Sequence, residues 1–307
     1  MARSASVSRT DAFSRVVLHS DEWGAPVHED IDAFETAKKG VLHRPAYIEG
    51  ERAMTSRQPE RAAFPQIIDI DDIPALGPEE VHLWLLPLSQ PSNKLDALTA
   101  ALDTEEVARA SRFRLARDQH RFMAARGLLR HVLGSYLGVA GRRLRFEYGA
   151  WGKPFILNDD GQPELQFNLS HSCDWALLGV TRKLEIGVDI EAVQEIPDAM
   201  EIALQNFAPG EIAALRTVET SRRLGAFYAC WTRKEAYVKA LGGGLELALD
   251  CFEMSVEPID DAAVVVCNEG IYPAGTYEVL GFAPLSGFRG AVAVRAVGIP
   301  VRRLRLA

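Results

Sequence analysis

Two stretches with the 3.6-residue period of a helix constrain this chain more than any other feature in it. The first runs from about Asp118 to Tyr136, where Phe122, Leu129, Val132, Leu133 and Tyr136 share one stripe. The second runs from about Thr220 to Leu241. Glycine follows each, Gly138 after the first and Gly242, Gly243 and Gly244 after the second, and glycine there is a helix stop. Short apolar runs of strand length flank both. VHLWLLPL precedes the first helix, and LRFEYG, LQFNLSHS, WALLGVT and EIGVDIEAV follow it. CFEMSVEP, AAVVVCN, TYEVLGFAP and GAVAVRAV follow the second. Shorter helices are expected over 92–103, over 104–116, and within IPDAMEIALQNF and PGEIAALRTV. Strand, helices and strands thus occur twice. That order predicts an α+β fold, a pseudo-twofold pair of similar α+β subdomains over 79–185 and 186–299, meeting near residues 183–186.

The ends of the chain read differently. In residues 1–78 the apolar positions are sparse, and Pro26, Pro45, Pro59, Pro65 and Pro74 interrupt them. This predicts an extension, partly disordered or draped over the rest, and dispensable for chemistry. Met54 lies inside it as a second candidate start. Residues 300–307 read as a basic tail.

Composition narrows the class. The 307 residues are 48% hydrophobic and 25% charged, a soluble globular mix. No run approaches the roughly 18 apolar residues of a membrane span. The opening MARSASVSRTDAF lacks the apolar centre of a signal peptide, so a cytoplasmic protein is expected. Cys173, Cys230, Cys251 and Cys267 form no C-x-x-C pair, which excludes a zinc ribbon and argues against a disulfide scaffold. The net charge of −8 disfavours a general nucleic-acid binder. Between Arg109 and Arg145, however, ten arginines meet one acid, Asp118, for a local charge of +9. A basic segment in an acidic chain fits an anionic ligand or an acidic partner, or a solvated helix face.

Chemistry concentrates in a few short segments. In GVDIEAV, strand alternation puts Val188 and Ile190 on one face and Asp189 and Glu191 on the other, the acids about 7 Å apart. Two carboxylates aimed at one cavity suit a divalent cation with oxygen ligands, and Mg²⁺ takes one or two carboxylates plus substrate phosphates. A wet face of an ordinary strand gives the same pattern. In FYACWTRKEAYVKALGGG, Lys234 falls on the stripe of Phe227, Trp231, Val238 and Leu241, where an unpaired ammonium is costly. Glu235 and Lys239, at i and i+4, could form a surface pair or line a phosphate and metal site. Ser170 and His171 lie in FNLSHS without the G-x-S-x-G elbow of a hydrolase, so a nucleophile is not expected there; a histidine beside small hydroxyls can donate to a phosphate or be a satisfied core histidine. AWGKP puts Lys153 on a turn that Gly152 opens to close backbone approach. Gly242–Gly244 lacks the frame of a P-loop.

Taken in order, RFRLARDQHRF, WGKPF, FNLSHS, GVDIEAV and WTRKEAYVKALGGGLELALDCFEMSV resemble the 4'-phosphopantetheinyl transferases of the surfactin-synthetase-activating (Sfp) type. The last stretch looks like the W/KEA variant of that family's signature, and the resemblance covers roughly residues 80–297. It implies a pseudo-dimer of α+β halves, active as a monomer, with coenzyme A in the cleft between them. It implies transfer of the phosphopantetheine arm of coenzyme A to a serine of an apo acyl or peptidyl carrier protein, giving adenosine 3',5'-bisphosphate. Such carriers serve fatty acid, polyketide and non-ribosomal peptide biosynthesis.

Carried over by residue, the resemblance makes Asp189, Glu191 and Glu235 the magnesium-binding acids, with Glu235 also the base for the carrier serine. Lys239 corresponds to the lysine on the pyrophosphate, and Lys234 belongs to the same signature. Ser170 and His171 match the pair that touches the phosphates. Trp151, Gly152 and Lys153 match the turn beside the adenine. Arg109, Arg112 and Arg121 fall in the segment that meets the 3'-phosphate, although Phe122 replaces a small hydroxyl residue found in some members. Two rivals use the same residues: a metal-dependent nucleotide phosphohydrolase with water as nucleophile, and a catalytically inactive coenzyme A- or carrier-binding module.

Overall fold

VHLWLLP is a strand buried on both faces, and that fact organises the whole molecule. A strand with no polar face must sit between two apolar layers. The computed structural model describes residues 47–48, 64–149, 152–157, 163–242, 248–258, 262–268 and 275–307. In chain order its elements are β1 (Tyr47–Ile48), β2 (Gln66–Ile68), β3 (Val81–Pro87), α1 (Ser92–Thr99), α2 (Thr104–Ala110), α3 (Ala116–Leu137), β4 (Glu147–Tyr148), β5 (Pro154–Leu157), β6 (Pro163–Ser172), β7 (Trp175–Thr181) and β8 (Ile186–Ala192). Then follow α4 (Ala199–Asn206), α5 (Pro209–Thr217), α6 (Thr220–Leu241), β9 (Ala262–Asn268), β10 (Gly275–Phe282), β11 (Phe288–Val294) and β12 (Val301–Leu306).

The strands form a seven-stranded sheet, β2-β12-β3-β7-β6-β5-β4, and a five-stranded sheet, β1-β9-β10-β11-β8. Strand alternation then assigns the layers. Trp84 and Leu86 of β3 and Leu178 and Val180 of β7 face α3, in a core with Leu128, Leu129 and Val132. Val81, Leu83, Leu85 and Leu177 point the other way, against Ile186, Val188 and Ile190 of β8 and Val292 and Val294 of β11. The far face of the smaller sheet, with Tyr277, Val279, Ala291 and Ala293, packs on α6. The order across the molecule is helix, sheet, sheet, helix, the mixed α+β architecture that the alternating elements imply. Both long helices end in a left-handed glycine, Gly138 (φ 66°) and Gly242 (φ 68°). Among the described residues no helix is long and apolar enough to cross a membrane.

Three expectations change. Residues 300–307 are no tail: β12 lies between β2 and β3, parallel to both. Its leucines 304 and 306 are buried, while Arg303 and Arg305 stack over the rings of Phe282 and Trp175 at 4.8 Å each. The extension also contributes to the fold. β2 pairs with β12, and Phe64 and Leu76 are buried, so residues 64–78 are anchored to the core at two points and along one sheet edge. CFEMSVEP is not a strand, although Phe252, Met254 and Val256 alternate inward as a strand's would. Its backbone is satisfied by side chains instead of a ladder. Glu211 accepts from the Met254 N–H, Lys234 donates to the carbonyls of Leu249 and Phe252, and Arg233 donates to that of Ser255.

Candidate active site

β8 is the edge of the smaller sheet, and an edge strand leaves backbone N–H groups that need partners. β6 supplies them with side chains. Asn168 Oδ1 accepts the Val188 N–H at 2.8 Å, and Ser172 Oγ accepts that of Ala192 at 3.0 Å. On the same face of β6, Ser170 donates to Asp189 Oδ1 at 2.9 Å and Ser172 to Glu191 Oε2 at 3.0 Å. Asn168, Ser170 and Ser172 are spaced by two, so one face of one strand ties the two sheets together. The acids of β8 project from this seam.

α6 covers them because Gly187 has no side chain. A Cβ there would overlap the carbonyl oxygen of Ala236 and the nitrogen of Ala240, so the last turns of α6 rest directly on the β8 backbone. Lys239 Nζ then reaches Asp189 Oδ1 at 2.6 Å and Ser170 Oγ at 3.3 Å. Glu235, one turn earlier, is 9% exposed and Asp189 is 2% exposed. The four charges share one electrostatic environment. Burial would lower the Lys239 pKa, but Asp189, Glu235 and Glu191 outweigh it and hold the ammonium charged. Glu191 moves the other way: burial, then the charge of Asp189, push its pKa up to about 8.

This donor set fits a hard divalent cation. Asp189 Oδ2 is buried without a hydrogen-bond partner, and Glu191 is held towards its neutral form by burial and by the charge of Asp189, which a cation would compensate. Among the described residues no three such side chains already converge at ligand distance. In this arrangement the Lys239 ammonium stands against Asp189.

Comparison with known proteins identifies the family. Residues 185–293, which hold β8, α6 and the acids, match the model of the 4'-phosphopantetheinyl transferase superfamily. Residues 89–182 match the model of the 4'-phosphopantetheinyl transferase N-terminal region. Over 220 residues, 72% of this chain and 90% of the relative, the sequence is 37% identical to the 4'-phosphopantetheinyl transferase HetI of Nostoc sp.. The chain belongs to the 4'-phosphopantetheinyl transferase superfamily. It is also 32% identical over 180 residues to the 4'-phosphopantetheinyl transferase of Bacillus subtilis, covering 59% of this chain and 76% of that one. Against the L-aminoadipate-semialdehyde dehydrogenase-phosphopantetheinyl transferase of Homo sapiens the identity is 30% over 168 residues, 52% of this chain and 54% of that one.

Within this transferase the remaining candidate residues divide. Asp189, Glu191, Glu235, Lys239 and Ser170 come together. Lys234 does not join them. It is fully buried on another face of α6, paired with Glu211 at 2.8 Å and set over the Phe252 ring at 4.3 Å. The apolar stripe therefore carries a lysine because Glu211 and two carbonyls satisfy it there. His171 is half-buried and alternates to the opposite face of β6 from Ser170. Arg121 is 21% exposed and pairs with Asp174, at the tip of the β6–β7 hairpin, at 2.8 Å. Arg109 lies over the Phe122 ring at 5.8 Å, and Arg112 is exposed. Trp151 lies outside the described residues, while Gly152 takes φ 77° in the turn before β5. Lys153 points inward to backbone carbonyls.

Sequence reasoning passed over Asn168, Ser172 and Gly187. The first two were within reach: the period-two rule that pairs Asp189 with Glu191 also pairs Ser170 with Asn168 and Ser172. Gly187 carries no signal of its own, because the helix it admits is about 50 residues away in the chain.

Proposed function

We propose that this transferase moves the 4'-phosphopantetheine arm of coenzyme A to a serine hydroxyl of an apo acyl or peptidyl carrier protein. The observation that carries it is Lys239 Nζ at 2.6 Å from Asp189 Oδ1, inside a cluster of three acids at the seam of the two sheets. Asp189, Glu191 and Glu235 are the residues that would hold Mg²⁺, which supplies neutralisation of the pyrophosphate charge. Glu235 accepts the proton of the carrier serine as its oxygen bonds to the phosphorus that bears the pantetheine arm. The bond from that phosphorus to the bridging oxygen breaks, and adenosine 3',5'-bisphosphate leaves with the bonding pair. Lys239 faces the charge that develops on this leaving oxygen, and such electrostatic complementarity is the main protein contribution to phosphoryl-type transfer. Ser170 and Ser172 hold the carboxylates of Asp189 and Glu191 in place. Arg109, Arg112, Arg121 and His171 are the basic groups available to the 3'-phosphate and pyrophosphate.

One chain supplies both walls of the seam, which supports a monomer acting in the cytoplasm. The test is mass spectrometry of an apo carrier protein incubated with coenzyme A, Mg²⁺ and this protein. A mass increase of one phosphopantetheine on the carrier serine is expected. Breakdown of coenzyme A without carrier, and no change in carrier mass, would overturn the reading.

A further inference from the structure

Lys153 stands on the turn between β4 and β5 in the N-terminal half, yet the three hydrogen bonds of its ammonium to described residues go to the backbone of the C-terminal half. Its Nζ donates to the carbonyl of Ile186 at 2.9 Å, of Lys239 at 2.9 Å and of Ala240 at 3.4 Å. Ile186 begins β8, and Lys239 and Ala240 lie in the last turn of α6. The final carbonyls of a helix have no intrahelical donors, and their dipoles concentrate negative charge. Of these, Lys239 O also receives the Gly242 N–H, at 3.3 Å. A few ångströms away Gly187 lets α6 touch β8, so carbonyls from two elements crowd one spot. One half-buried ammonium gathers them.

We propose that Lys153 is a positioning residue: by drawing the α6 C-terminal turn onto the start of β8 it sets where the Lys239 ammonium meets Asp189. Its side chain acts through Lys239 and not on coenzyme A itself. The contact is with the Lys239 residue, whose own Nζ lies 2.6 Å from Asp189 Oδ1, so a shift in that turn moves the catalytic cluster directly. Gly152 at φ 77° and the bond from Gly149 N–H to Lys153 O, at 3.0 Å, fix the turn that aims the side chain. Arginine cannot substitute, because its planar fork spreads donors that here converge from one nitrogen. The kinetic part of the inference rests on the transferase reading; the structural part does not.

Lys153→Met keeps the length and removes the donors. Lys153→Gln, which keeps one donor, serves if Met fails to fold. Hydrogen exchange read by mass spectrometry needs no substrate. Faster exchange confined to the 236–242 region and β8, with α3 unchanged, is expected. Unchanged protection there would overturn the proposal whatever the reaction is. With coenzyme A and an apo carrier, kcat should fall on the order of 10- to 100-fold, as for a misplaced catalytic group, while calorimetric coenzyme A affinity changes less than about threefold. Lost affinity at normal kcat would make Lys153 a ligand contact instead. In a Lys239→Ala background Lys153→Met should add little, and full additivity of the two losses would also overturn it. Absence of transfer by the unmutated protein would sink the transferase reading and leave the exchange result to decide this one.

Discussion

α3 and α6 are the two halves' counterparts, and the contrast between them shows where a shared scaffold acquires chemistry. Each has 22 residues, each lacks a side-chain N-cap, and each stops at a left-handed glycine. Each buries charge against the shorter helix and loops beside it. In α3 that charge is closed upon itself. Arg130 is fully buried and is bonded to Glu106, Asp103 and the carbonyls of Gly141 and Leu144, while Arg126 pairs with Glu106 and stacks at 4.7 Å on Phe146. α6 does the same on one face with Lys234 and Glu211. Its other face is different: Lys239 pairs with Asp189 and feels the charges of Glu235 and Glu191, a buried oxygen of Asp189 has no hydrogen-bond partner, and Glu191 is pushed towards neutrality. A closed network contributes stability and an unbalanced one leaves affinity for something else. The basic run of ten arginines, read as one feature in sequence, is thus divided between these uses. Part of it is internal scaffolding, and Arg112, Arg114 and Arg117 remain exposed beside α3's start.

The largest expected effect falls on the open face. Glu235→Gln keeps size and one oxygen but cannot take a proton. Loss of a general base typically costs 10²–10⁴-fold in kcat. Coenzyme A binding and melting temperature should stay near normal. Carrier modification followed across a Mg²⁺ titration decides between base and ligand: full recovery at high Mg²⁺ would leave Glu235 as a ligand only.

The closed network should respond in the opposite way. Arg130→Ala leaves buried Glu106 with Arg126 alone and strips the donor from the carbonyls of Gly141 and Leu144, and breaking a buried pair from one side costs up to about 3–5 kcal/mol. Urea unfolding should show that loss, while kcat measured at low temperature stays within a few-fold of normal. A large kcat effect without loss of stability would mean that α3 takes part in the chemistry and that the contrast is wrong.

Gly187→Ala sits between the two extremes. The added methyl meets helix backbone, so α6 must move off β8. Overpacking of this kind costs roughly 1–3 kcal/mol, and here the movement also separates Lys239 from Asp189. Both stability and kcat should fall. The equivalent change at Gly127, where a Cβ would meet Leu98, should lower stability alone.

How much of this was legible in the sequence depends on how local each feature is. α6 spans the residues its stripe and its glycine stop indicated, and strand alternation puts Asp189 and Glu191 on one face of β8 as read. These follow from periodicity within a few residues. β12 has no local signal, because its partners are 220 residues away or more and because Arg303 and Arg305 of VRRLRL lie on aromatic rings. β2 has three residues and no readable period. CFEMSVEP has a strand's alternation, but Glu211, Lys234 and Arg233 replace the ladder, which no local pattern announces. The partner of Lys234, Glu211, lies on a different helix, so the local signature groups Lys234 with the ligand contacts.

The smallest effect is a pH dependence that separates the clamp at the end of α6 from the pairs inside α3. Burial lowers the Lys153 pKa from 10.5 to about 8, only partly countered by the charge of Glu185. Below pH 8 both folded and unfolded chains hold this proton, and the group adds no pH dependence. Between about 8 and 10.5 the unfolded chain holds more of the proton than the folded one, so stability gained through this group rises with pH and levels off above 10.5. The slope is at most about 1.4 kcal/mol per pH unit, one proton's worth. Other lysines and tyrosines titrate in the same window, so the difference between the wild-type protein and Lys153→Met is the quantity to follow. Chemical denaturation from pH 7 to 10.5 should show that difference changing in favour of the wild type as pH rises. A difference that stays flat would mean that the Lys153 ammonium is hydrated in solution, and its hold on Ile186, Lys239 and Ala240 would then be too loose to fix α6.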